Sequence, residues 1–179
     1  YNGSQISYSD IIYFEMSNSN LYPKIKMTFR DTLGLIGDKG MPLDDTKIKI
    51  FINSRNPYIK SIFIQFKIFN FSSNGNNVFT IVGHIDIDDL YISSYKSYPR
   101  SNSFDTIKKI CTDIGIGLNS NVSNSDDQMT WINFGEDLQD FISDIIDSSY
   151  ISDQSFTFGY IDYYYNFNYI DVEKEINRT

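Results

Sequence analysis

The sequence has no alanine, and only 7 of its 179 residues are leucine, against 28 isoleucines. A chain without the best helix former and poor in the next one is a bad candidate for a helical bundle. It has a single cysteine, Cys111, so neither an internal disulfide framework nor a cysteine-rich zinc site is possible. A small secreted domain usually needs such staples, so a reducing compartment, or a particle assembled in one, is expected. It has a single histidine, His84, which excludes a histidine-based metal cluster. No apolar run approaches the 18 or so residues of a membrane-spanning helix. A glycine-rich phosphate loop with its lysine, a dinucleotide fingerprint and an internal repeat are all lacking. Gly115-Ile-Gly-Leu is too short for either glycine motif and follows a helical segment instead of a strand.

What is present is sheet chemistry. Aromatic residues make up 16%, with 14 Tyr and 14 Phe, enough to bury a sizeable core and to exclude a disordered chain. The formal charge is −8 and the pI about 4.5, which argues against general nucleic-acid binding. N-x-S/T sequons occur at Asn2, Asn70, Asn121 and Asn177, and in a chain this rich in Asn and Ser they read as chance. The chain begins at Tyr1 and ends without a closing element, so it reads as a fragment of something longer. Its length suits one ordinary domain or two small ones.

The first hundred residues read as antiparallel strands over 22–31, 46–53, 60–71 and 78–88. In the first, Ile25, Met27 and Phe29 alternate with Lys24, Lys26, Thr28 and Arg30, the period of a half-buried strand. In the third, Ile62, Ile64, Phe66 and Ile68 oppose Phe63, Gln65, Lys67 and Phe69, so parts of both faces are expected to be covered. Leu33 to Asp45 reads as a loop, and Asn74-Gly75 as the strongest hairpin turn. Tyr95 to Ser103 has no periodicity and marks an expected boundary, giving domains 1–99 and 100–179. Helices are expected over 104–114, with Ser103 as N-cap and Gly115 as C-cap, and over 136–148. In the second helix Leu138, Phe141, Ile142, Ile145 and Ile146 form the apolar stripe, and Asp137, Asp140, Asp144 and Asp147 a solvated one. Leu118 to Gln128 reads as an exposed loop, Met129 to Asn133 as a short extended segment, and Ser155 to Val172 as aromatic strands. The fold class expected is mainly β (α+β).

No residue is expected to be catalytic, and no metal or cofactor is expected. His84 reads as a strand histidine on the surface or with its hydrogen bonds satisfied, and Cys111 as a buried inert thiol. Asp86 and Asp88, at i and i+2, would leave one face of a strand beside Asp89. They lack the glycine and later glutamate of a calcium loop, so pairing with Lys or Arg is the better reading. Asp126 and Asp127 read as exposed. The tyrosine run of the C-terminal strands could stack sugars or bases, but packing on a neighbour or another subunit is the better reading in acidic surroundings.

Several strings together resemble a known layout. In the C-terminal half they are Ser103-Phe-Asp-Thr-Ile-Lys-Lys-Ile, an Asp-rich loop, Met129-Thr-Trp-Ile-Asn, an amphipathic helix, and aromatic strands around Gly159. In the first half they are Leu21-Tyr-Pro-Lys-Ile-Lys-Met-Thr-Phe-Arg-Asp, Met41-Pro-Leu-Asp-Asp-Thr-Lys-Ile-Lys-Ile-Phe-Ile and Phe79-Thr-Ile-Val-Gly-His-Ile-Asp-Ile-Asp-Asp-Leu-Tyr. Over residues 20 to 175 this order resembles the baseplate hub proteins of contractile phage tails. It is similar, more distantly, to the tube-forming part of type VI secretion spike proteins. Residues 1–20 match nothing in that layout, and the chain stops before a second barrel could close.

The resemblance implies an antiparallel β-barrel tube domain over 1–99 and, over 100–179, the helix-containing start of a second, similar domain. It implies a trimer whose barrels form a ring of six-like symmetry, continuing the tail tube and joining it to the central spike. The partners implied are other copies of the chain, tail tube and central spike proteins, with no membrane and no sequence-specific nucleic acid. The place implied is the virion tail baseplate, assembled in the host cytoplasm. An acidic lumen would not hold passing DNA. Tyr163, Tyr164, Tyr165, Phe167 and Tyr169 become interface candidates. Two rival readings are a glycan- or peptide-binding module built on the tyrosine-rich strands, and a fragment of a cell-wall hydrolase using Asp pairs as acid and base.

Overall fold

Alternating β-branched and aromatic residues make this chain mostly sheet, at 44% strand and 22% helix. The computed structural model describes residues 5–18, 21–40, 42 and 46–178, with no side-chain description at 38 and 39. The sequon at Asn2 and residues 41 and 43–45 of the expected loop lie outside the described residues. The chain divides into two compact units, Tyr1–Asp86 and Ile87–Thr179.

In the first unit, β1 (Ile11–Ser17), β2 (Lys24–Arg30), β3 (Lys47–Ile52), β4 (Ile62–Ser73) and β5 (Val78–Ile85) form one sheet. The strand order is β1-β2-β5-β4-β3, every pairing is antiparallel, and the sheet curves into a half-barrel. The four expected strands are β2 to β5. β1 is an addition within residues where the sequence placed no element. The inner face carries Ile25, Met27 and Phe29 of β2, Ile64, Phe66 and Ile68 of β4, and Phe79, Ile81 and Ile85 of β5, all buried. The outer face carries the charges, as strict alternation requires. Phe63 and Phe69 on that outer face are 59% and 55% exposed, so it is open at both, where the sequence suggested partial cover.

β4 bulges between Ile68 and Asn70, which swings its far end against β5. Gly83 pairs with Ile68 beside the bulge. A Cβ there would lie 2.9 Å from the Lys67 carbonyl oxygen and 3.1 Å from Ile25 Cγ2. The hairpin turn expected at Asn74-Gly75 is there: Gly75, Asn76 and Asn77 have φ of +80°, +50° and +59°, a run that only glycine and asparagine enter cheaply.

The expected loop 33–45 instead contains a one-turn helix, α1 (Leu35–Lys39). Its start is fixed by a residue the sequence pattern does not advertise. Asp31 is buried, and its two carboxylate oxygens accept from the Leu35 and Ile36 amides, each at 2.8 Å. Asp31→Ala is expected to cost about 1–2 kcal/mol, the scale of a lost cap. Chemical denaturation would check this; an unchanged midpoint would mean that water replaces the carboxylate at no cost.

The second unit begins with a 3₁₀ turn over Asp88–Tyr91 and continues through β6 (Ser93–Ser101), α2 (Ser103–Asp113), β7 (Gly117–Ser120), β8 (Met129–Asp137), α3 (Leu138–Asp147), β9 (Thr157–Ile161), β10 (Asn166–Asp171) and α4 (Val172–Ile176). Residues 99 and 100 lie inside β6. β6 and β8 pair as a two-stranded antiparallel ribbon. β7, β10 and β9 form a second sheet in that order, with β7 parallel to β10.

Two segments read as irregular are therefore strands: β6 within the aperiodic stretch, and β7 at the start of the expected loop 118–128. Both helices were expected within two residues of where they lie. The N-cap of α2 is Asn102, not Ser103: its Oδ1 accepts from the Asp105 amide at 2.7 Å. Gly115, with φ +74°, turns the chain out of α2. The Gly115 and Ile116 amides donate back to the Thr112 and Cys111 carbonyls at 3.3 and 3.0 Å, closing a Schellman motif. In α3 the five expected apolar residues are all buried, while Asp140, Asp144 and Asp147 are exposed.

Candidate assembly surfaces

His84 and Asp86, both singled out from the sequence, are held by structural contacts. In β5 the His84 ring stacks on Phe69 at 5.4 Å and meets Tyr22 edge-on at 6.4 Å, with Nδ1 3.2 Å from the Ile85 carbonyl oxygen. Asp86 is paired as expected: its carboxylate lies 2.7 Å from the Lys47 ammonium and accepts from the Gln65 amide. The shared strand face expected for Asp86 and Asp88 is not formed, because β5 ends at Ile85 and Asp88 belongs to the 3₁₀ turn. No group of three or more His, Cys, Asp or Glu side chains is arranged for a metal ion among the described residues.

Cys111 is buried on α2, and desolvation pushes its thiol up to about 12. The thiolate that a nucleophile needs is thus nearly absent at neutral pH. Because the thiol ionises more readily once unfolded, near 9, its contribution to stability is complete below that pH and is lost as pH rises toward about 12. A thiol reagent at neutral pH should leave the native protein unlabelled and label one site in guanidinium; rapid native labelling would contradict the burial.

The expected exposed loop before β8 is partly pinned. Asp126 is exposed, but Asp127 Oδ1 accepts from the Ser103 amide and hydroxyl, each at 3.1 Å. Ser103 Oγ also lies 2.9 Å from Ser125 Oγ and 3.2 Å from the Tyr169 hydroxyl. This buried polar network ties the N-terminus of α2 to β10. Asn121, one of the sequons, hydrogen-bonds both backbone groups of Asp171 at 2.8 Å. Its amide nitrogen also lies 3.1 Å from a Glu175 carboxylate oxygen.

The five aromatic interface candidates are not one surface. Tyr163, Tyr164 and Tyr165 are half-buried in the turn between β9 and β10. Asp162 holds that turn, its Oδ1 accepting from the Tyr164 and Asn166 amides at 2.8 and 2.9 Å, while Tyr165 takes φ +62°. Burial raises the Tyr163 phenol above its ordinary pKa. Phe167 and Tyr169, on β10, are both 0% exposed. They are core residues, out of reach of any partner of the folded unit. Alternation along β10 points them inward, and β10 is the central strand of its sheet.

Surfaces the sequence did not single out are more open. The outer strands of the large sheet, β1 and β3, each pair on one side only among the described residues. On the outer face, register places Lys24, His84, Lys67 and Lys47 in one row across four strands. Lys26, Arg30 and Lys49 flank it, and Glu15 and Asp86 are acids on that face among the described residues. Phe51 and Phe63, cross-strand partners at one end, are 65% and 59% exposed. In the second unit Tyr95 and Phe134 are likewise cross-strand partners on the β6–β8 ribbon, 86% and 75% exposed. Charge is segregated as well. The first unit has nine Lys or Arg and seven Asp or Glu; the second has six and sixteen, a net −10. The alternation of lysines was visible in the sequence, but their alignment into a row is set by register between strands.

The sequence matches no family model, and no curated protein matches it. In fold the chain is similar to the 43 kDa tail protein of prophage MuSo2 from Shewanella oneidensis, with a TM-score of 0.51 and 11% identity over 87% of this chain and 49% of that one. Prophage tail protein gp18 from Listeria monocytogenes EGD-e gives a TM-score of 0.45 at 11% identity, over 92% and 46% of the two chains. The chain spans about half the length of these proteins.

Proposed function

We propose that this chain is a structural component of a phage-type tail, a baseplate hub subunit that joins the tail tube to the central spike by assembling into a ring. The observation that carries the reading is the fold shared with the MuSo2 tail protein along most of the chain. Two physical features support it. The half-barrel has outer strands, β1 and β3, each paired with one strand among the described residues, and such edges suit edge-to-edge joining of neighbours. Large aromatic side chains stand exposed in both units, including Phe51, Phe63, Tyr95 and Phe134, where a folded chain without partners would gain nothing by them. The role is structural rather than catalytic: His84 and Asp86 are engaged in packing and pairing, and the Cys111 thiol is buried.

The reading requires self-association. Light scattering across a concentration series should give a trimer or larger rings, and negative-stain microscopy should show them as annular particles. A strict monomer at every concentration would refute it.

A further inference from the structure

The hairpin of β3 and β4 ends in a tip that is apolar and bare. Phe51 and Phe63 are cross-strand partners at its base, and both are exposed. Beyond them Tyr58, 94% exposed, and Ile59 stand in the connecting loop. The loop is held in shape by its own polar side chains. Ser54 Oγ accepts from the Asn56 amide and Asn56 Oδ1 from the Tyr58 amide, each at 3.0 Å, and the Ser61 hydroxyl donates to Asn53 Oδ1 at 2.8 Å. With the backbone beneath Tyr58 fixed in this way, ordering the loop against a partner costs little. The second unit carries a bare apolar face of another shape. On the β6–β8 ribbon Tyr95 and Phe134 are paired, and alternation puts Ile132 on the same side, away from the buried Trp131 and Asn133. Tyr95 is held as well: its ring lies over Gly135, where a Cβ would come within 2.8 Å of the hydroxyl. Asn133 fixes the chain at that point, its Oδ1 accepting from the Gly135 and Glu136 amides at 2.9 and 2.8 Å.

We infer that the tip of the β3–β4 hairpin docks on the outer face of the β6–β8 ribbon of a second copy of this chain. The inference rests on the self-assembly reading above and names the faces that meet. Area favours this occupant. With about 150–250 Å² for a whole aromatic side chain, the exposed fractions give each patch about 400–550 Å² of bare apolar surface. A standard interface takes about 800 Å² from each partner, a little over half of it apolar. One tip on one ribbon face therefore supplies the apolar share of a stable contact. Charge agrees at the rims: Arg55 is exposed in the loop, and Glu136 is exposed beside the ribbon's aromatic pair. Ring closure also needs two different faces. A face that pairs with itself stops at two copies, whereas tip on ribbon is head-to-tail and repeats from copy to copy until a ring closes. Tyr58 is the anchor, a large aromatic on a pre-shaped loop, the type of residue that dominates binding energy.

The test is sedimentation of the intact chain and of two variants. Tyr58→Ser with Ile59→Ser changes only exposed loop side chains and should weaken association at least about tenfold, as loss of an anchor does. Tyr95→Ser with Phe134→Ser should do the same; if that pair lowers the melting temperature, Ile132→Lys, at one exposed position, takes its place. Mixing the tip variant with the ribbon variant should restore association, but only as one-to-one pairs, because each supplies the face the other lost. A benzophenone side chain placed at position 58 should cross-link under light to β6 or β8 of another copy. Association that persists in both variants, or cross-links formed only elsewhere, would overturn the proposed contact while leaving self-assembly standing. Loss in one variant alone would mean that a face pairs with itself, and would overturn it as well. So would association abolished at about 1 M salt, since an apolar contact survives the screening of charge. A wild-type chain that is monomeric at every concentration would overturn both this contact and the self-assembly reading.

Discussion

Phe167→Ala is expected to lower the stability of the second unit by about 3–5 kcal/mol, the range for truncating a fully buried phenylalanine. The ring is 0% exposed at the centre of the β7-β10-β9 sheet, and it closes on Gly159 of β9. A Cβ at Gly159 would come within 2.8 Å of Phe167 Cζ and 2.5 Å of Ile146 Cδ1, so helix, strand and ring meet without slack. Trp131, buried in the same unit, gives the readout: its fluorescence transition should shift to markedly lower denaturant. This outcome separates the two roles open to Phe167 from sequence alone. An interface residue would leave the transition in place and weaken self-association; a core residue does the reverse.

Gly83→Val should be nearly as damaging to the first unit, at about 3 kcal/mol. The clash is with the backbone, 2.9 Å from the Lys67 carbonyl oxygen, and a carbonyl in a sheet cannot swing aside as a side chain can. Moving it means breaking the pairing of β4 with β5 next to the bulge, where Ile68 pairs with Gly83. Far-UV circular dichroism on melting would read the loss. A wild-type melting curve would mean that the bulge can migrate along β4 to relieve the contact. Gly83→Ala meets the same carbonyl with less bulk and should fall in between.

The elements legible in the sequence are those whose burial is one-sided and long enough to set a period. β2 alternates over seven residues, and α3 carries five apolar residues on one stripe. β6 was not legible, because Tyr98 is its one buried side chain and a two-stranded ribbon imposes little pattern. β7 is only four residues, Gly117-Leu-Asn-Ser, whose strand geometry comes from its partner β10, about fifty positions away. α1 depends on Asp31, whose burial cannot be read from neighbouring residues. The aromatic run was misleading for a related reason. The turn at Asp162 divides it, leaving Tyr163–Tyr165 half-buried in the connection and sending Phe167 and Tyr169 into the core. The basic row was hidden because register between strands is a property of the fold, and the alternation of one strand does not show which residues of the next lie beside it.

The parallel pairing of β7 with β10 also governs the order in which the chain can acquire structure. β7 is synthesised early in the second unit, yet the strand that satisfies its backbone spans Asn166–Asp171, about fifty residues later. β9 waits on the same strand, and so does the tie from Tyr169 to the start of α2. Closing a connection of that length costs chain entropy before any contact repays it, so the sheet of the second unit completes only once β10 has been made. The first unit needs nothing beyond Asp86 to complete its sheet and can fold while the second is still being made.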